Sequence, residues 1–225
     1  MTDLVFLLDV DNTLLDNDRL KADLDLRIGA LLGPEAANQF WEVYESVRRG
    51  EQYVDFPGTL AEFTRLHPDL PNDDLRALIL DMPFQSYAYP GASEAIRYLA
   101  TIGVPVILSD GDPVFQLMKI EKSGMAPLVE GRVILTIHKQ DEMDAVFERF
   151  PAAHYAMIDD KTTILADCER RYPRLITTVL VCQGKYARIH ASPPPDLVVP
   201  HIGDLVSVPP EEFLTTGHRA EDSAG

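Results

Sequence analysis

Acidic residues, one serine and one lysine follow the strand-like segments of this sequence, and their types suit one kind of chemistry. Several carboxylates crowded together repel one another unless a cation binds among them. Oxygen donors with no histidine or cysteine nearby favour Mg²⁺ over zinc. The sequence therefore predicts a Mg²⁺ site, and the residues concerned are Asp9, Asp11, Ser109, Asp110, Lys139, Asp159 and Asp160.

Phosphoryl transfer is the reaction that these groups would support. Mg²⁺ usually takes one or two carboxylates, waters and a substrate phosphate. A lysine and a serine hydroxyl at the same rim can hold the remaining phosphate oxygens, with Lys122 and Lys161 as rivals to Lys139. One carboxylate can act as a nucleophile and form an aspartyl-phosphate, while a second protonates the leaving group and later activates water.

Four apolar segments would position these groups as buried parallel strands. Each is a short aliphatic or β-branched run without strict alternation, as expected for a strand covered on both faces. Ligands of a doubly wound sheet bind beyond the carboxyl ends of its strands, where three of the four segments carry an acid or a hydroxyl. The segments are Val5–Asp9, Val104–Ser109, Tyr155–Asp159 and Leu175–Cys182, with weaker candidates at Val133–Ile137 and Leu197–Val199.

Helical patterns lie between these segments. Asp112-Pro113 supplies an N-cap and a proline at the first helical position, and Gly124 ends that helix. Strands that alternate with helices form right-handed βαβ units, so the predicted fold class is α/β with a doubly wound parallel sheet. Further helices are predicted at Ala92–Ile102, Lys139–Phe150 and Thr162–Tyr172.

The interval from Leu15 to about Tyr89 departs from this alternation. It contains no strand of comparable quality, and glycines and prolines divide it into helical patterns. These are Leu20–Leu32, Pro34–Arg48, Gly58–His67 and Asn72–Asp81. We therefore predict a core of residues 1–15 and 88–216, a small all-helical insert of residues 16–87, and a disordered polar tail of residues 217–225.

Length, charge and cysteine usage limit the classes of protein to which the chain can belong. Its 225 residues suffice for a core domain with a smaller insert, and its net charge of −16 makes nucleic acid an unexpected partner. The run from Leu4 to Leu8 is too short for a signal peptide or a membrane span. Cys168 and Cys182 lack metal-type spacing and are expected to be buried small residues, and nothing demands a disulfide between them. Together with the short N-terminal run, this predicts a cytoplasmic protein without a membrane anchor.

The order of the motifs resembles that of the haloacid dehalogenase-like superfamily of hydrolases with an aspartate nucleophile. The first motif of that family, Asp-x-Asp-x-Thr after a hydrophobic strand, is similar to Asp9-Val10-Asp11-Asn12-Thr13. The second, a hydrophobic strand ending in Ser or Thr, is similar to Val106-Ile107-Leu108-Ser109. Lys139 and the pair Asp159-Asp160 complete the order, so the resemblance covers the whole chain.

The resemblance implies a Rossmann-like catalytic core, a helical cap, Mg²⁺ as the cofactor and a role for each matching residue. Asp9 would attack phosphorus and bind Mg²⁺. Asp11 would be the general acid/base and bind the metal through its backbone carbonyl. Ser109, helped by the Asp110 amide, would hold the phosphoryl group, and Lys139 would neutralise charge on Asp9 and the phosphate.

Two stretches depart from the commonest form of the family motifs. A second acid often follows the acidic pair by about four residues, but position 164 is Ile, and Asp160 is then the implied direct metal ligand with Asp159 behind it or near it. The second motif continues into Asp110-Gly111-Asp112. Asp112 is expected to cap the following helix, and the Asp110 side chain is expected to point away from the phosphate.

Four functions remain open for a protein with this set of residues. The leading one is a Mg²⁺-dependent phosphatase that acts on a small phosphorylated metabolite through an aspartyl-phosphate. A 2-haloacid dehalogenase of the same superfamily uses the same nucleophile on carbon without a metal, but typically lacks the acid that stands here at Asp11. A phosphomutase or phosphotransferase differs in the acceptor, and a non-catalytic regulator is least favoured because every motif residue is present.

Overall fold

The computed structural model describes residues 2–51 and 55–215, and its centre is one sheet of six parallel strands. The strand order is β3-β2-β1-β4-β5-β6, so the chain winds outwards from β1 in both directions. This places the topological switch point between β1 and β4, where doubly wound sheets bind ligands. The strands are β1 Thr2–Leu8, β2 Val104–Asp110, β3 Val133–Thr136, β4 Ala152–Asp159, β5 Ile176–Val181 and β6 Leu197–Val199.

The strands are apolar on both sides because helices cover both faces of the sheet. In β1, Phe6 and Leu8 join the apolar cluster on one face, and Val5 and Leu7 join the cluster on the other. All four of these side chains are buried. Burial on two faces explains the unbroken apolar run of the sequence, and the six predicted strands are confirmed.

Four helices follow β1 and precede α5 (Ala92–Ile102), the helix that leads into β2. Their side chains share an apolar cluster that includes Leu24, Phe40 and Phe63. This cluster is separate from the two that cover the faces of the sheet. Asp16 accepts a hydrogen bond from Arg19 N at 2.9 Å and Asp55 from Gly58 N at 2.7 Å, so both side chains cap helix starts. The helices are α1 Asn17–Leu32, α2 Pro34–Glu51, α3 Phe56–Leu66 and α4 Asn72–Leu80.

Five further helices lie along the remainder of the described chain. They are α5 Ala92–Ile102, α6 Pro113–Lys122, α7 Met125–Leu128, α8 Met143–Arg149 and α9 Thr162–Arg171. Asp112 accepts hydrogen bonds from Val114 N at 3.1 Å and Phe115 N at 2.7 Å, which confirms its predicted role as the N-cap of α6. None of the helices in the described part of the chain is long and apolar enough to cross a membrane.

The helix predicted from Lys139 to Phe150 is wrong in its first turn. Lys139–Asp141 forms a 3-10 turn, and α8 starts only at Met143. The backbone N–H of Lys139 donates to Asp110 Oδ1 at 2.8 Å, and its side chain is fully buried. The contacts of Lys139 with the sheet therefore override the helical pattern of the local sequence.

The two cysteines differ in their surroundings, and neither forms a disulfide. Cys168 on α9 is buried in an apolar cluster as expected. Cys182 is exposed, so the prediction that it is buried is wrong. It follows Val181, the last residue of β5, and thus lies where the chain leaves the covered part of the sheet. The predicted disordered tail, residues 217–225, lies outside the described residues.

Candidate active site

The loop after β1 holds the first acidic residues at the carboxyl end of the sheet. Asp9 N donates to Ile158 O of β4 at 3.0 Å, so Asp9 continues the sheet pairing by one residue. Asn12 has φ 63°, and a Cβ at Gly184 would lie 2.5 Å from the Asn12 Cβ. Only glycine fits that close approach. The loop is therefore fixed against the chain that follows β5.

Asp9, Lys139 and Asp159 form a buried ion triad. Lys139 Nζ is bonded to Asp9 Oδ1 and lies 2.8 Å from Asp159 Oδ2. The three side chains are at most 3% exposed. Burial works to lower the pKa of Lys139, but the Asp159 and Asp9 carboxylates outweigh it and hold that pKa well above its usual range. Lys139 therefore carries a positive charge beside Asp9.

Asp160 lies next to this triad and forms no ion pair with any residue that the structure describes. Neither of its carboxylate oxygens, nor Asp9 Oδ2, has a hydrogen-bond partner in the described part of the chain, although all three are buried. Burial, followed by the charges of Asp9 and Asp159, raises the pKa of Asp160 to about 9. Burial and the Asp159 charge likewise raise the pKa of Asp9 to about 6. The triad with Asp160 thus has an excess of negative charge.

These orphaned oxygens fit a hard divalent cation. One carboxylate oxygen each of Asp9, Asp159 and Asp160 lie within 4.8 Å of one another. Asp159 already accepts from Lys139 Nζ and, at 2.8 Å, from Lys161 N, whereas Asp160 and Asp9 Oδ2 are unbonded within the described residues. An all-carboxylate donor set suits Mg²⁺. The geometry therefore favours Asp9 and Asp160 as ligands, with Asp159 behind them.

Metal-free protein is expected to lose stability as pH rises, and Mg²⁺ is expected to restore it. The pKa values of about 6 for Asp9 and about 9 for Asp160 lie above those of an unfolded chain. Their contribution is therefore complete below about pH 4 and is lost as pH rises through 9. Saturation at 100 times Kd adds about 2.7 kcal/mol, which for a chain of this size raises the Tm by about 5–10 °C.

This expectation is checked by thermal unfolding at pH 6 and pH 8.5, with and without Mg²⁺. The Mg²⁺-dependent rise in Tm should be larger at pH 8.5, because binding must displace a proton at the lower pH. Asp160→Asn should abolish most of the rise, whereas Asp3→Asn, at an exposed acid on β1, should retain it. An equal rise in wild type and Asp160→Asn would contradict the assignment.

Ser109 and Asp11 are joined to two residues of α6 that the sequence did not reveal. Gln116 Nε2 donates to Ser109 Oγ at 2.7 Å, which leaves the serine hydrogen free to donate elsewhere. Lys119 Nζ forms an ion pair with Asp11 Oδ1. Gln116 and Lys119 are three residues apart, so one face of α6 carries both. The available signal was the position of Lys119 in a predicted helix beside the site. Lysines at the surface of a helix give the same sequence pattern, so this signal does not identify Lys119.

Lys119 controls the charge of Asp11. Burial works to raise the pKa of Asp11, but the Lys119 ammonium and its hydrogen bond outweigh burial and lower that pKa overall. The Asp11 side chain is 26% exposed, and that of Lys119 is 3% exposed. Asp11 is therefore an anion at neutral pH that faces a cleft.

The remaining predicted residues have definite partners. Asp110 Oδ1 accepts from Thr136 Oγ1 at 2.7 Å and from Lys139 N at 2.8 Å, so this side chain braces the start of the lysine turn. Ile164, where an acid often stands, is buried in an apolar cluster beneath the sheet. Lys122 lies at the surface and donates to Leu80 O at 2.6 Å, and it is therefore not the lysine of the site.

A cleft of about 490 Å³ opens above these groups, a size suited to a small molecule. Asp11, after β1, and Gln116 and Lys119, on α6, line it on one side. Lys21 on α1 and Arg48 on α2 line it on the other. Residues of the chain after β5, including Lys185, complete the wall. Ligand contacts from both the core and the insert are therefore possible in one space.

The parallel sheet, with carboxylates at the switch point beside β1, defines a doubly wound α/β protein with a ligand site at the end of its central strand. A crystal structure from Burkholderia xenovorans LB400, described as a haloacid dehalogenase-like hydrolase, is 43% identical to the chain. It has a TM-score of 0.88 and covers 96% of this chain and 100% of that one. The chain therefore belongs to the haloacid dehalogenase-like hydrolases, a superfamily of enzymes.

More distant structures share the fold. An L-2-haloacid dehalogenase from Xanthobacter autotrophicus is 17% identical, with a TM-score of 0.60 over 92% of this chain and 98% of that one. The magnesium-bound HAD-hydrolase YfnB from Bacillus subtilis is also 17% identical, with a TM-score of 0.60 over 91% and 96% of the two chains. No protein-family model and no curated protein matches the chain.

Proposed function

We propose that the chain is a Mg²⁺-dependent phosphohydrolase that acts on a small phosphorylated metabolite through an aspartyl-phosphate on Asp9. The observation that carries the proposal is the buried Asp9–Lys139–Asp159 triad beside Asp160, whose oxygens have no partner among the described residues. Such an arrangement needs a cation to balance its charge, and a cation beside a held carboxylate suits phosphoryl transfer.

Asp9 is the proposed nucleophile. Lys139 fixes the carboxylate and offsets its charge as the dianionic phosphoryl group approaches. An oxygen of Asp9 forms a bond to phosphorus while the bond from phosphorus to the ester oxygen breaks. Ser109 uses its free hydrogen to donate to a phosphoryl oxygen, because Gln116 already donates to its Oγ.

Asp11 is the proposed group for proton transfer, and Lys119 is its partner. In the first step Asp11, which rests as an anion, would receive a proton from the paired Lys119 ammonium and pass it to the departing ester oxygen. In the second it would take a proton from the water that attacks phosphorus and return it to Lys119, while phosphate is released and Asp9 is regenerated. The resting ion pair with Lys119 favours the anionic form of Asp11 that the second step requires.

Asp9 and Asp160 are the proposed Mg²⁺ ligands, with the Asp11 carbonyl as a further donor and Asp159 behind them. A bound Mg²⁺ would neutralise charge on the phosphoryl oxygens. The helical insert of residues 16–87 is proposed as a cap over the core of residues 1–15 and 88–216. Its contribution to the wall of the cleft supports a part in substrate choice.

A 2-haloacid dehalogenase is the second candidate, and the Asp11–Lys119 ion pair is the observation that favours it. A halide leaves without a proton, so that reaction does not need a protonated Asp11, whereas departure of an alkoxide does. The structural likeness to L-2-haloacid dehalogenases is one of fold alone.

The two candidates are separated by assaying phosphate release from a phosphometabolite panel with Mg²⁺ and halide release from 2-haloacids without it. We expect phosphate release that stops on addition of a chelator, and no halide release. Halide release in the chelator, with no phosphate released from any ester, would establish the second candidate in place of the first. Transfer of the phosphoryl group to a sugar hydroxyl, detected by product analysis, would instead identify a phosphotransferase or mutase.

A further inference from the structure

Lysines are gathered at the site of an otherwise acidic protein. Five of the six lysines in a chain of net charge −16 lie beside the carboxylates or line the cleft above them. A lysine in such a cleft attracts an anionic ligand only where no acid of the protein already balances its charge. These lysines are Lys21, Lys119, Lys139, Lys161 and Lys185.

Four of the five have acidic partners. Lys119 is paired with Asp11, Lys139 with Asp9 and Asp159, and Lys185 lies 3.9 Å from Asp18 Oδ1. Lys161 faces the carboxylates of the triad, whose charges outweigh its burial and raise its pKa. The charges of these four lysines are therefore balanced within the protein.

Lys21 on α1 is different. Its Nζ donates to Tyr44 Oη at 2.7 Å, and no carboxylate of the described residues lies within ion-pair distance of it. Burial lowers its pKa, the charge of Asp11 opposes this change in part, and the cations Lys185 and Arg48 add to it. A half-buried ammonium in this setting is stabilised by an added anion.

Tyr44 holds this ammonium in place. The tyrosine on α2 is 1% exposed and packs against Trp41 and Phe56, with ring centroids 5.2 and 5.3 Å away. Lys21 Nζ lies 4.8 Å from the centre of its ring as well as bonding its hydroxyl. The lysine is thus positioned before a ligand arrives, which reduces the entropy lost on binding.

The charge balance at this side of the cleft indicates a singly charged ligand group. Arg48 also lines the cleft, but it lies 3.2 Å from Glu45 Oε2 on the same helix, which offsets its charge. Among the described lysines and arginines that line the cleft on this side, Lys21 is the one without an acid within ion-pair distance. A carboxylate supplies one negative charge, whereas a second phosphate supplies up to two.

We propose that Lys21 binds a carboxylate that the substrate carries in addition to its phosphoryl group. The inference rests on the proposed function and narrows its substrate class to phosphate esters of small hydroxy acids. Tyr44 is a positioning residue for Lys21. The site lies in the same cleft as Asp11, so one small molecule can reach both.

Binding of matched phosphonates tests the proposal without requiring turnover. Isothermal titration calorimetry in Mg²⁺ would measure the affinities of carboxyalkylphosphonates that contain one, two or three methylenes. Each would be compared with its neutral carboxamide and with the bisphosphonate of the same length. In wild type at least one carboxylate should bind about 10- to 100-fold more tightly than its carboxamide, as expected for a charge-assisted hydrogen bond. Lys21→Met should bring that ratio close to one.

Two control variants make the result specific. Lys185→Met removes a lysine of the same cleft that Asp18 already balances, and it should keep the carboxylate-to-carboxamide ratio. Lys21→Arg preserves the charge and should retain most of the preference, which keeps the test valid if Lys21→Met folds poorly.

Three results would overturn the proposal alone: equal affinities in wild type for every carboxylate and its carboxamide, an unchanged ratio in Lys21→Met, or tighter binding of bisphosphonates. Failure of every phosphonate to bind, charged or neutral, would overturn the proposed function together with the carboxylate site. The two failures are therefore distinguishable in one experiment.

Discussion

Replacement of Asp9 by asparagine is expected to lower kcat for phosphate-ester hydrolysis by roughly 10⁴-fold or more, the scale of losing a catalytic nucleophile. The amide of asparagine cannot form the aspartyl-phosphate. Among the described side chains, only Asp9 and Asp159 are bonded to Lys139 Nζ, so Asp159 is the one such carboxylate left in the variant. The measurement is kcat on an aryl phosphate in saturating Mg²⁺. Folding should be unimpaired, since Asp9→Asn removes one charge from a group with excess negative charge.

Asp3 offers the matched control for this substitution. It lies near the start of β1, the strand whose other end leads to Asp9, and its side chain is exposed. Asp3→Asn should keep kcat within about twofold, as surface changes away from a site usually have small effects. An Asp9→Asn enzyme with more than a tenth of the wild-type kcat would show that another group attacks phosphorus.

Replacement of Lys139 by methionine is expected to cost about 3–5 kcal/mol of unfolding free energy at pH 8 and to abolish turnover. The substitution removes the ammonium group that pairs with the buried carboxylates of Asp9 and Asp159, beside the buried Asp160. The cost should be smaller at pH 5, because buried carboxylates then take up protons in place of the lost charge. Urea unfolding of the metal-free protein at both pH values measures the difference.

Lys122 supplies the comparison for Lys139. Its side chain is 44% exposed and lies 3.6 Å from Asp81 Oδ1, so Lys122→Met should cost at most about 1 kcal/mol at either pH. If Lys139→Met and Lys122→Met lose the same free energy at pH 8, the triad does not carry the buried charge balance described above.

The acids of the candidate site illustrate what short-range patterns can predict. A carboxylate after an apolar run is informative because the carboxyl ends of parallel strands meet at one edge, and Asp9 and Asp159 follow such runs. The paired strands β1 and β4 then bring these acids together without further information. The N-cap at Asp112 was predictable for the same reason, because its partners lie two and three residues away.

Other features depended on contacts that no local pattern contains. Gln116 and Lys119 sit on α6, and their distance from Asp11 in the chain is more than a hundred residues. The first turn of the helix predicted from Lys139 is a 3-10 turn, because Asp110 accepts the backbone hydrogen of Lys139. Cys182 proved exposed because coverage by neighbouring elements, rather than residue type, decides burial.

The sequence by itself determined the order of strands and helices, the family, and which acids stand at the strand ends. The tertiary structure decided how those charges are balanced: Lys139 with Asp9 and Asp159, Lys119 with Asp11, and Lys21 with no acid among the described residues. The physical reason is that charge balance depends on distances of a few ångströms between side chains far apart in the chain. Lys139 and Asp9, for example, are 130 residues apart.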